Sequence, residues 1–185
     1  MPSPRIRLRE KVKKGKMIMG KKLLLLIIAV TILLTGTWSE AARFPDFSAK
    51  TLEGQDVTND IFSEKKLTII NFWATWCPPC VGEMPDLGIL GRSMPENTQL
   101  IGVLLDAKDK GATEKANEIL RKAKADFPQL IPSSEMNAVL SGINAIPTTI
   151  FVDANGHIVG NPIVGSRSEE KYRTEIEKAL KSMPE

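Results

Sequence analysis

Residues 67–80 read LTIINFWATWCPPC. Positions 67–72 (LTIINF) form a nearly continuous apolar run, interrupted only by Thr68 and Asn71. Such a run suits a strand buried on both faces of a sheet. Two cysteines close the stretch. The two prolines between them suit the first turn of a helix, where a backbone N–H has no partner to lose. The stretch therefore predicts a buried strand that runs into a helix reaching about residue 91, with Cys77 and Cys80 at the junction.

On the N-terminal side of that junction, residues 44–57 (FPDFSAKTLEGQDV) predict an extended segment turned at Glu53-Gly54. On the C-terminal side, residues 99–105 (QLIGVLL) predict a second strand. Residues 113–124 predict a helix with Ala116, Ile119, Leu120 and Ala123 on one face. A short strand at 129–131 and a helix over 134–141 come next. Residues 148–153 (TTIFVD) and 157–164 (HIVGNPIV) flank Ala154-Asn155-Gly156, a strong hairpin turn signal. Ser166 and Glu169 have capping-box spacing ahead of a last helix, whose buried stripe is Tyr172, Ile176, Ala179 and Leu180. A βαβ unit followed by a hairpin and a helix predicts an α/β fold. Its central sheet is mixed, with helices on both faces and an N-terminal β-hairpin extension.

The chain has 185 residues and a net charge of +3. Residues 1–22 hold nine basic side chains against Glu10 alone, a net of +8, so residues 23–185 carry −5. The folded part is mildly acidic, which argues against a nucleic-acid partner. Residues 23–34 (LLLLIIAVTILL) are apolar at 11 of 12 positions. That length fits the core of a signal peptide, and an anchor if Gly36–Trp38 complete the span. A basic block ahead of an apolar run stays cytoplasmic, so the chain beyond residue 42 is expected outside. The expected organisation is a basic cytoplasmic tail at 1–22, a signal peptide or membrane anchor at 23–41 and a domain at 42–185.

Cys77 and Cys80 are the two cysteines of the chain. Three readings of the pair compete. As a structural disulfide it closes too short a loop to constrain the unfolded chain much. As half of a zinc site it lacks ligands, since zinc takes four and the chain adds one histidine, His157, expected on an exposed hairpin. As a redox pair it sits where the chemistry wants it. A helix N-terminus carries unpaired N–H groups and about half a positive charge, and both stabilise a thiolate. In such C-x-x-C sites the first cysteine falls from about 8.5 to roughly 3.5–7.5. Cys77, at the exposed end, is then the attacking thiolate. Cys80, one turn in, is the buried resolving thiol. Pro78 and Pro79 remove two donors near the sulfurs and so influence the potential.

The run NFWATWCPPC at 71–80, with Ile146-Pro147-Thr148 before a strand and an Asn-Gly turn, resembles the TlpA/ResA branch of the thioredoxin superfamily. The resemblance covers about residues 44–182. It implies a thioredoxin-like fold and a thiol–disulfide oxidoreductase, extracytoplasmic, that reduces disulfides in client proteins, as in cytochrome c maturation. It implies electrons from a membrane thiol carrier of the DsbD/CcdA kind, and no cofactor or metal. Pro147 is then cis beside the cysteines, leaving the Ile146 backbone to pair with a substrate strand. Trp76, Pro78, Pro79, Ile146 and Pro147 are the expected client contacts, with Trp76 shielding the disulfide. Thioredoxin itself has a buried Asp where this chain has Asn71. The branch resembles this chain in placing a Glu three residues after the second cysteine, here Glu83, on the same helical face as Cys80. Glu83 is the candidate for handling the Cys80 proton. Two rivals remain. A peroxiredoxin-like peroxidase fits Thr75 two residues before Cys77, but lacks the matching upstream Pro, Phe72 standing there instead. A copper chaperone needs a Cys pair spaced by three and a well-placed histidine.

Overall fold

The computed structural model describes residues 42–183. The basic tail at 1–22 and the apolar segment at 23–41 lie outside the described residues. Strands β1 (Ser48–Thr51) and β2 (Asp56–Thr58) form the N-terminal hairpin, turned where Gly54 takes a φ of 86°. A four-residue helix, α1 (Asp60–Ser63), comes after it, where the sequence pattern carries no helix signal. Next come β3 (Leu67–Trp73), α2 (Pro78–Arg92), β4 (Thr98–Leu104) and α3 (Ala112–Ala123). Then β5 (Gln129–Ile131) leads to the expected helix at 134–141. That helix splits into a 3-10 turn (Ser134–Met136) and α4 (Asn137–Leu140). Strands β6 (Thr148–Asp153) and β7 (Ile158–Val164) and helix α5 (Glu169–Ser182) complete the body.

The seven strands form one sheet in the order β2-β1-β5-β4-β3-β6-β7. β3 pairs parallel with β4 and antiparallel with β6, so the sheet is mixed. The hairpin joins it through an antiparallel β1–β5 pairing. Every residue of β3 is buried. Side chains alternate across a strand. Leu67, Ile69 and Trp73 accordingly enter one core with α2, α3 and α5, through Met84, Leu87, Leu120, Tyr172 and Ile176. Ile70 and Phe72 enter the opposite core with Phe44, Phe47, Phe62 and Met136. Helices thus cover both faces of a thioredoxin-like sheet. The odd-numbered face of β3 also carries Asn71, which places a polar group beneath α2 and α5.

The Ser166–Glu169 capping box does not form. Ser168 is the N-cap of α5 and makes no side-chain cap. Two carboxylates of α2, one helical turn apart, serve that end instead. Glu83 Oε2 accepts from the Arg167 N–H at 3.0 Å, and Asp86 Oδ1 accepts from the Glu169 N–H at 3.0 Å. The Glu169 side chain is drawn to Arg173. Tertiary acceptors have replaced the local ones that the spacing suggested.

Candidate active site

Helix α2 opens at the cysteines. Cys77 is its N-cap, with extended backbone, and Pro78 and Pro79 occupy the first turn. The Val81 N–H returns to the Cys77 carbonyl at 3.0 Å. Cys77 and Cys80 are joined by a disulfide with S–S 2.04 Å and Cα atoms 5.3 Å apart. The Cys80 N–H points at Cys77 Sγ, 3.3 Å away. A donor in that place will bond the thiolate once the pair is reduced.

Cys77 is not at an exposed end. It is 3 % exposed, and Cys80 is fully buried. The Cys77 sulfur turns inward onto its partner and lies 3.7 Å from the Ile146 carbonyl oxygen. The exposed rim is formed by its neighbours: Trp76 at 63 %, with Pro78 and Pro79 also exposed. The Ile146–Pro147 peptide is cis, and the Pro147 carbonyl accepts from the Gly165 N–H at 2.8 Å. Ile146 is half-buried and Pro147 buried. The structure therefore brings together Trp76, Cys77, Pro78, Pro79, Cys80, Ile146 and Pro147.

Glu83 is 2 % exposed and sits one turn beyond Cys80 on α2. Its carboxylate accepts three hydrogen bonds. Asn71 Nδ2 donates to Oε1 at 2.9 Å, while Tyr172 Oη and the Arg167 N–H donate to Oε2 at 2.9 and 3.0 Å. Burial raises its pKa above the usual carboxylate range. The bonds from Asn71, Arg167 and Tyr172 and the Arg167 charge pull it back only in part. Thr149, the ladder partner of Asn71, accepts from Asn71 Nδ2 at 3.0 Å and lies 3.2 Å from Tyr172 Oη. Burial and the neighbouring Glu83 charge push the Tyr172 hydroxyl well above its usual value.

His157 is half-buried rather than exposed. It lies on the hairpin at the far end of β6 from Pro147, with Nδ1 3.2 Å from Asp153 Oδ2. Asp153 holds the turn and takes the imidazole with it, so His157 does not join the cysteines. Two supports of the cysteine loop carry no local sequence signal. Trp73 Nε1 donates to Gln129 Oε1 at 2.9 Å. Asp106, 6 % exposed just past β4, accepts from the Thr75 N–H at 3.1 and 3.2 Å and from the Thr75 hydroxyl at 2.6 Å. The sequence marks Tyr172 only as an apolar stripe residue, since helical period does not say where its hydroxyl points.

Residues 41–160 match the model of the AhpC/TSA family. The "Thiol:disulfide interchange protein DsbE homolog" of Paracoccus denitrificans is 31% identical over 142 residues, 74% of this chain and 74% of that one. "Thiol-disulfide oxidoreductase ResA" of Bacillus anthracis is 28% identical over 135 residues, 72% of this chain and 75% of its own. Among solved structures, a thioredoxin-family thiol:disulfide interchange protein from Chlorobium tepidum superposes with a TM-score of 0.64 at 25% identity. That match covers 77% of this chain and 98% of the other.

Proposed function

The chain belongs to the AhpC/TSA family, on its TlpA/ResA-like branch of thiol–disulfide oxidoreductases, and on that footing we propose that it reduces disulfides in client proteins outside the cytoplasm. The observation that carries the exchange chemistry is the placement of Cys77 at the N-cap of α2, bonded to Cys80 and faced by the Cys80 N–H. In the dithiol form, the Cys77 thiolate attacks a client disulfide, forms a mixed disulfide and releases one client thiol. Cys80 then gives up its proton and attacks Cys77, which expels the second client thiol. Two electrons and two protons pass to the client, and the Cys77–Cys80 disulfide remains.

Trp76, Pro78, Pro79, Ile146 and Pro147 frame the sulfurs and are the proposed client contacts. Glu83 is the proposed acceptor of the Cys80 proton, its raised pKa bringing it nearer the range in which such a transfer runs both ways. The external location rests on the +8 block ahead of the apolar run at 23–34. The proposed organisation remains a tail at 1–22, a signal or anchor at 23–41 and a domain at 42–185. A membrane thiol carrier of the DsbD/CcdA kind is the proposed electron donor, and cytochrome c maturation the proposed setting.

Equilibration with a thiol buffer tests the direction. A reductant predicts a potential nearer thioredoxin's about −270 mV than the about −120 mV of the strong oxidant DsbA. A value at the oxidising end overturns the direction of electron flow and leaves the exchange chemistry standing. The peroxidase alternative makes a different demand, peroxide turnover by C80S, which keeps Cys77 alone.

A further inference from the structure

Four buried polar side chains from four elements close a ring: Asn71 on β3, Thr149 on β6, Glu83 on α2 and Tyr172 on α5. Each is at most 2 % exposed. Burying so many polar groups is costly unless every donor finds an acceptor in each protonation state the site visits. While Glu83 is ionised, the ring is consistent throughout. Asn71 Nδ2 donates to Glu83 and Thr149, the Thr149 hydroxyl donates to Tyr172 Oη, and the Tyr172 hydroxyl donates to Glu83.

A protonated Glu83 needs an acceptor for its new proton. Of its three partners, the Arg167 backbone N–H can only donate. The Asn71 amide presents its NH2 to both Glu83 and Thr149, and its Oδ1 is turned away, buried without a partner. Tyr172 Oη alone can either donate or accept. On accepting from Glu83, it can send its own proton toward Thr149 Oγ1, 3.2 Å away.

We propose that Tyr172 is a positioning residue for Glu83, its hydroxyl donating to the ionised carboxylate and reversing to accept from the carboxylic acid formed when Glu83 takes the Cys80 proton. This rests on the reading of Glu83 as that proton's acceptor. In the resolving step the Cys80 S–H proton goes to Glu83. The Cys80 thiolate forms a bond to Cys77 Sγ, the mixed disulfide breaks, and the client thiolate leaves with the electron pair. The proton on Glu83 then passes to solvent or to the leaving thiolate, and Tyr172 turns back. The ionisable groups around Glu83 are Cys77 and Cys80 in the dithiol, Asp86 on α2, Arg167 in the loop before α5, and Tyr172 and Glu169 on α5. Asn71 and Thr149 are the sheet's contribution, and neither titrates.

The test is the pH dependence of the resolving step in the full-length chain. Reduced protein is mixed with an aromatic disulfide whose thiol is coloured, and release of the second coloured thiol reports the attack by Cys80. Tyr172→Phe removes one donor to the ionised form and one acceptor for the neutral form. The charge-assisted bond is about twice as strong as the neutral one, so the midpoint moves up by about one pH unit and the rate below it falls about tenfold. In a Glu83→Gln background, Y172F has nothing to act through and shifts nothing. An unmoved midpoint in Y172F, beside a clear effect of E83Q, overturns the role of Tyr172 and leaves that of Glu83 intact. A Y172F shift that persists in E83Q overturns it equally. An E83Q profile identical to wild type overturns both. If Y172F does not fold, Thr149→Val reads the reversal from the other side. It removes the acceptor that the reversed Tyr172 hydroxyl needs, so protonated Glu83 is disfavoured and the midpoint moves down; an unmoved or raised midpoint in T149V is a refutation.

Discussion

Replacing Asp106 by Ala removes the acceptor that holds the loop leading into Cys77. Two donors of Thr75, its N–H and its hydroxyl, converge on this one carboxylate, and Thr75 is itself 6 % exposed. Each buried donor left without an acceptor costs about 1–3 kcal/mol. Some water entry is expected, so D106A should cost about 2–4 kcal/mol. For a domain of this size that corresponds to a fall in Tm of about 6–15 °C. Thr75→Val removes the hydroxyl alone and should cost about 1 kcal/mol. The two changes share a bond, so the double variant D106A/T75V should be about 1 kcal/mol less destabilised than the sum of the singles. Denaturant unfolding of the oxidised protein gives all three values at one pH. Costs that add within about 0.3–0.5 kcal/mol would refute the claim that this carboxylate is held by Thr75.

Glu83 gives a pH-dependent result with a definite sign. Its folded pKa lies above the ordinary carboxylate value, so the protonated form favours folding. That stability is fully present below the unfolded pKa of about 4.3 and is lost as pH rises through the folded pKa. Unfolding of wild type against E83Q between about pH 4 and 8 should therefore show wild type losing ground as pH rises; parallel curves would remove the buried-acid account. Gly88 and Gly82 lie on the same helix and should respond oppositely to alanine. A Cβ at Gly88 meets the backbone oxygens of Ala123 and Lys124 at 2.5 and 2.9 Å, whereas one at Gly82 meets nothing within 4 Å. By thermal melt, G88A should destabilise by about 1–3 kcal/mol and G82A should stabilise by about 0.5–1 kcal/mol. Protease added to intact spheroplasts should digest the domain, and its protection would reverse the external location.

The parts of the molecule legible in the sequence are those where local pattern and tertiary demand agree. LTIINF has no polar face, which suits a strand buried on both sides, and Pro78-Pro79 suit the first turn of a helix; both elements form as the pattern predicts. The Asn155-Gly156 turn likewise fixed the β6–β7 pairing. The failures came where a distant group supplied what the local pattern offered. Ser166 and Glu169 have the spacing of a cap, but Asp86 reaches the Glu169 N–H from α2 and Glu83 takes the neighbouring Arg167 N–H. Asp106 resembles any loop acid, because its partner Thr75 lies 31 residues away. The C-x-x-C spacing located the sulfurs but not their exposure, which depends on the Ile146–Pro147 segment packed beside them. The burial of Tyr172 is legible in the helical stripe, yet its hydroxyl faces a carboxylate that belongs to another helix.

The central claim is that Cys77 attacks and Cys80 resolves. Trapping of covalent complexes in cells tests it most directly, with tagged full-length C77A and C80A captured under conditions that block free thiols and resolved with and without reductant. The account predicts that C80A accumulates disulfide-linked client proteins, released by reductant, because the mixed disulfide at Cys77 has lost its resolving thiol. It predicts that C77A captures none and has no disulfide-reducing turnover. Client complexes on C77A, or wild-type turnover by that variant, would contradict it.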